Sequence, residues 1–163
     1  MPDPLILLAQ CFAVSALAGW MLTGLWDNLA HPRINADLVD EVLTLARLKT
    51  DYPDAYARLK HREVRSPAFR RTVFGLAIAL ESAAVLGLAC GSVLLFLAML
   101  GIVPATLARS AALIGTVLFS SVWAGFVIAG NYFCYWCGHE GAQNTHFQLL
   151  LCGLGTMILL ILP

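Results

Sequence analysis

Cys134 and Cys137 stand three positions apart, and His139 and His146 follow, so four groups able to bind metal or exchange thiols fall within 13 residues. A Cys-x-x-Cys pair suits zinc or thiol–disulfide chemistry, because both sulfurs can reach one ion or one another across a single turn. The surrounding spacing argues the other way. Zinc sites usually set two ligand pairs well apart, whereas Gly138 alone separates Cys137 from His139. A c-type haem needs His directly after the second Cys, and Gly138 occupies that place. No βαβ pattern surrounds the pair, as a thioredoxin-like motif would require. The expectation is two inert cysteines and no metal, haem or other cofactor, with Cys134, Cys137, His139 and His146 kept as candidate ligands.

Glu81 is the second candidate. It lies inside an apolar run, where a carboxyl is costly and is functional by default. It could pin neighbouring helices by hydrogen bonding, relay a proton or meet a partner subunit. Asn131, Gln148, His146 and the Arg70–Arg71 pair are its candidate partners. Asn28 and Trp136 complete the polar and interaction residues expected at the same end of the molecule.

These residues are carried by four apolar segments, Pro4–Leu25, Val73–Leu100, Ser110–Tyr132 and His146–Leu162. Each approaches the ~20 residues that cross a bilayer as a helix, and backbone inside hydrocarbon must satisfy its own hydrogen bonds. Met1–Gln10 lacks a basic leading region, so the first segment is expected to be a retained span. Small residues recur at spacings that share a helix face: Gly19 on the first span, Gly87 and Gly91 on the second, Gly125 on the third. They are expected to pack helices within the bundle, or to dock another membrane subunit.

Composition agrees with this layout. The 163 residues are 60% hydrophobic and 12% charged, against about a quarter charged in soluble domains, and the mean hydropathy is +0.78. Net charge is zero, so no nucleic-acid partner is expected. Nine of the ten Lys/Arg and seven of the ten Asp/Glu lie in the loop Trp26–Thr72. Its Lys/Arg excess places that loop in the cytoplasm. Within it, Asn35 is a candidate helix cap, acids follow and Arg47 and Lys49 close the stretch, so Asn35–Lys49 reads as an amphipathic helix. Arg62, Arg65, Arg70 and Arg71 read as headgroup-facing charges.

Three stretches resemble a bacterial family known as predicted small integral membrane proteins, a domain of unknown function. Asp27-Asn28-Leu29, then Asn35, then Val39-x-x-Val42-Leu43-x-Leu45 is similar to its Asn-Asn-Leu-Thr-Asp…Asn…Val-x-x-Val-Leu-x-Met. Arg62-Glu63-Val64-Arg65-Ser66-Pro67 leading to Glu81 is similar to its Arg-x-Ile-x-Ser-Pro and following intramembrane Glu. Gly130-Asn131-Tyr132-Phe133-x-x-Trp136 with Gly141 and Gln143 is similar to its Gly-Glu-Trp-Phe-x-x-Trp and Asn-Gly-Gln. Asn131 replaces the usual Glu and Tyr132 the usual Trp, and the two cysteines fall outside the pattern. The resemblance implies four spans, points to Asn28, Asn35, Glu81 and Trp136, and brings no activity.

The combined expectation is an all-α membrane protein forming one domain over residues 1–163. It has four transmembrane helices (4–25, 73–100, 110–132, 146–162) and an amphipathic helix at 35–49 in the loop 26–72. It is placed in the bacterial inner membrane, in contact with the lipid bilayer and other membrane subunits. The leading function is non-catalytic, an accessory or stabilising subunit of a larger complex. The alternatives are a small proton-linked carrier using Glu81, and a metal or thiol-redox protein using Cys134 and Cys137.

Overall fold

A computed structural model describes residues 3–162; residues 1, 2 and 163 of the expected domain lie outside it. The described chain is helical, in the order α1 (Pro4–Ala30), α2 (Pro32–Leu43), α3 (Ala46–Asp51), α4 (Pro53–Leu59), a 3-10 turn (Lys60–Arg62), α5 (Pro67–Met99), α6 (Ala105–Tyr132) and α7 (Glu140–Leu160). Three helices, α1, α5 and α6, are long and apolar enough to cross a membrane. α7 occupies the place of the fourth expected span, but it begins in polar sequence at Glu140, before the apolar run.

The helices overrun the apolar segments because local signals outside those segments start and stop them. Ser66 caps α5 by accepting a hydrogen bond from the Phe69 amide at 3.3 Å, with Pro67 in the first turn. The helix therefore starts before Val73 and spans 33 residues, about 50 Å, well beyond the ~30 Å hydrocarbon layer. α1 likewise continues past Leu25 to Ala30, which brings Asn28 into helix rather than loop.

α1 packs on α5, α5 on α6 and α6 on α7. The α5–α6 crossing is backbone to backbone. A Cβ on Gly91 would stand 2.5 Å from Cα of Ala112, and one on Gly87 2.8 Å from Cα of Gly115. Leu88, Leu95, Phe119 and Val14 fill the core around it. Leu5, Phe12, Leu86, Ile114 and Ile128 point outward, as lipid-facing residues do. Away from the loops, α1, α6 and α7 are tied through the fully buried Gln10. Its amide nitrogen donates to the Leu159 carbonyl (2.8 Å) and its oxygen accepts from Arg109 Nε (3.0 Å).

The helix expected over Asn35–Lys49 is two helices. Thr44–Leu45 interrupts it, with Leu45 at φ 54° in the left-handed region. That conformation costs a non-glycine residue about 1–2 kcal/mol, while full burial of a leucine contributes about 1.5–3 kcal/mol, and Leu45 is only 2% exposed. Burial wins, and it comes from a small second core in which Leu45 and Leu48 pack with Cys134, Cys137, Tyr56 and Leu59. Asn35 is not a cap either. Pro32 opens α2 behind His31, which makes no side-chain cap bond.

The loop before α5 and the loop before α7 thus share one end of the bundle. Arg62 donates to the Tyr132 carbonyl at 2.9 Å and lies 4.6 Å from the Tyr132 ring centre. Arg70 grips both oxygens of Asp40 (2.6 and 3.0 Å) and the carbonyls of Val64 and Arg65. Arg62 and Arg70, expected to face headgroups, are thus both engaged with protein groups. Arg70→Met is expected to loosen the tie between α2 and α5, modestly because Asp40 is half exposed. Faster tryptic cleavage around Arg58 and Lys60 in the lipid-embedded protein would register it, and an unchanged rate would count against the tie.

Candidate functional site

α5 buries one stripe, and Glu81 lies on it with Ala84, Leu88, Gly91 and Leu95. α1 buries Met21, Leu25 and Asn28 in the same way. Where these stripes meet, Asn28 Nδ2 donates to Glu81 Oε2 at 2.7 Å. The Asn28 oxygen is then free to accept, and Asn35 Nδ2 of α2 donates to it at 2.6 Å. Three helices are joined by one polar chain. Glu81 is 5% exposed and Asn28 7%. Glu81 Oε1 accepts no hydrogen bond from any described side chain.

This chain borders a cleft of about 280 Å3 between the loop-side ends of the helices. α2 supplies apolar wall through Leu38, Val39 and Val42, and α5 adds Phe74 and Ala77. Part of the lining is aromatic. His146 lies 5.1 Å from Trp123, 5.2 Å from Phe126 and 5.7 Å from Tyr135, ring centre to ring centre. Trp123 Nε1 and His146 Nδ1 are buried without hydrogen-bond partners. Among the described residues no Lys or Arg lines the cleft. The arrangement offers one acidic group, an aromatic wall and an apolar enclosure. It can bind, and it contains no nucleophile–base pair.

The expected site residues therefore divide. Asn28, Asn35 and Glu81 come together, and His146 shares their cleft. Asn131, Gln148, Arg70 and the exposed Arg71, expected beside Glu81, make no hydrogen bond or ion pair with it. Asn131 is exposed and accepts from Gln143 at 3.0 Å, Gln148 is exposed, and Arg70 is held by Asp40. The reason is that α1, not α6 or α7, supplies the hydrogen-bonding side chain on the Glu81 stripe. Trp136 stands outside the cleft, edge-on to Tyr52 at 6.0 Å. Gly87 and Gly91 lie at the α5–α6 crossing, whereas nothing comes within 4 Å of a Cβ built on Gly19 or Gly125. Sequence reading missed Trp123, Phe126 and Tyr135 as one wall. Phe119, Trp123 and Phe126 follow helical spacing, and that signal could have revealed part of it.

Cys134 and Cys137 are buried in the loop core, apart from His146. A void of about 10 Å3 beside them, shared with Glu41 and His139, has room for about one water. Among the described residues no three His, Cys, Asp or Glu side chains converge as a metal site. Burial pushes the Cys137 thiol up, and the Asp51 carboxylate pushes it further. Because the thiolate is the reactive form, Cys137 is expected to alkylate more slowly in the native protein than after denaturation at the same pH. Equal rates would contradict the burial.

No curated protein and no solved structure matches the chain. The family model described as predicted small integral membrane protein (DUF2165) matches residues 6–163, and with nearly its whole length covered the chain belongs to that family of integral membrane proteins.

Proposed function

We propose that this is a non-catalytic, four-span protein of the bacterial inner membrane that admits a small, largely apolar guest into the loop-side cleft, as a small carrier whose polar contact is Glu81. The single observation that carries this reading is the buried carboxyl with one unpartnered oxygen, bordering a cleft of about 280 Å3. α7 serves as the fourth span, supported by the outward-facing Leu151, Leu154 and Ile158. The Lys/Arg-rich loop 26–72 faces the cytoplasm.

Dicyclohexylcarbodiimide tests the access this requires, since it enters apolar sites and forms a stable adduct with a carboxyl group it can reach. The expected result is an adduct on Glu81 of the lipid-embedded protein, absent in Glu81→Gln and slowed when Ala77→Trp fills the cleft. An unmodified Glu81 would sink the reading.

The accessory-subunit reading keeps one observation in its favour. The Gly19 and Gly125 positions are open, so another helix could approach them closely. A stoichiometric co-isolated membrane protein, lost on Gly125→Leu, would favour it over the carrier.

A further inference from the structure

The chemistry of the cleft narrows the class of guest. Among its described lining residues Glu81 is the one acid, and none is Lys or Arg. Asn28 hydrogen-bonds the carboxyl but supplies no charge. Arg70 is held by Asp40 and Arg62 by the Tyr132 carbonyl, while Arg109 is held by Gln10 on the far side of the bundle. Arg71 is exposed outside the lining, and His146, the one basic side chain in the lining, makes no ion pair with Glu81. A buried carboxylate without a counter-charge is costly, and a guest that brings a positive charge removes that cost. A guest that brings a negative charge adds to it.

The aromatic wall points the same way. Trp, Tyr and Phe faces attract cations, more strongly where water is excluded. Trp123, Phe126 and Tyr135 all line this cleft. An inorganic cation fits poorly, because hard ions need six or more oxygen ligands and most of the enclosure is hydrocarbon. A volume of about 280 Å3 falls just below the ~300–1,000 Å3 of drug-sized sites, so the guest is small.

We propose, building on the reading that the cleft holds a guest, that its ligand is a small lipophilic organic cation, such as an aryl or alkyl ammonium. The Glu81 carboxylate pairs with its charge, and Trp123, Phe126 and Tyr135, which line the same cleft, pack against its apolar body.

The test uses the full chain in lipid nanodiscs with two probes of one shape, benzyltrimethylammonium and its uncharged carbon isostere neopentylbenzene. Saturation-transfer NMR reads binding, and protection of Glu81 from dicyclohexylcarbodiimide reads location without any substitution. The cation is expected to bind and to slow the modification. Its affinity is expected to fall at least about tenfold in Glu81→Gln, which retains an acceptor for Asn28. The isostere is expected to bind more weakly and with no dependence on Glu81. If both probes bind and protect equally, the cleft reading stands and the cation inference falls. If carbodiimide modifies Glu81 but the cation neither binds nor protects, the inference again falls alone. If carbodiimide never reaches Glu81, both fall.

Discussion

Gly115→Ala is expected to destabilise the protein more than any other addition of a single methyl group to its spans. A Cβ at that position would stand 2.5 Å from the Gly87 carbonyl carbon and the Leu88 nitrogen, and 2.7 Å from the Gly87 oxygen. Carbon contacts settle near 3.5–4.0 Å. All three obstructing atoms are backbone, so no side chain can turn aside and α5 and α6 must separate. Helices in a bilayer associate largely through packing, without a hydrophobic drive between them. Overpacking of this kind costs about 1–3 kcal/mol and occasionally more. Gly19→Ala and Gly125→Ala are the controls. Neither meets an atom within 4 Å, and alanine favours helix by about 0.5–1 kcal/mol, so both should be neutral or stabilising. Thermal unfolding in detergent, followed by circular dichroism, measures all three. A Gly115→Ala protein as stable as the wild type would contradict the close crossing.

Asn28→Leu is expected to cost about 1–2 kcal/mol, near the upper end for interhelical hydrogen bonds in membranes. The substitution removes the donor to Glu81 and leaves Asn35 without its acceptor. The informative comparison is the double-mutant cycle. Glu81→Leu alone strands Asn28, whereas Asn28→Leu with Glu81→Leu removes both partners and replaces them with apolar groups. The double variant should be less destabilised than the sum of the singles, because most of each single cost is the group left unsatisfied. Additive costs would mean that the 2.7 Å contact does no energetic work. Glu81→Gln should retain most of the stability, which separates the role of this residue in holding α1 to α5 from its role in binding a charged guest.

The division between what was legible and what was not follows from the range of each signal. Apolar run length and the crowding of Lys and Arg into one loop are local properties, so the membrane class and the helical architecture could be read directly. Glu81 stood out for the same reason, as a carboxyl within an apolar run. Its partner did not. The bond to Asn28 joins residues 53 positions apart, and stripe periodicity tells which face a helix buries without telling what it is buried against. Arg70, Asn131 and Gln148 were equally plausible at similar depth.

Helix ends show the same limit on a smaller scale. The apolar run alone put the second span at Val73, whereas the Ser66 cap and Pro67 start α5 earlier. Nothing local marked the break at Leu45, because its left-handed backbone is held by burial against Cys134 and Cys137 from a distant loop. The sequence by itself determined that this chain enters the membrane as long helices and that one of them carries a costly carboxyl. Only the tertiary structure decided that Asn28 holds that carboxyl, with Asn35 behind it, and that Trp123, Phe126, Tyr135 and His146 line the same cleft. The first depends on the chemistry of neighbouring residues, the second on which helices the close glycine crossing of α5 and α6 leaves room for.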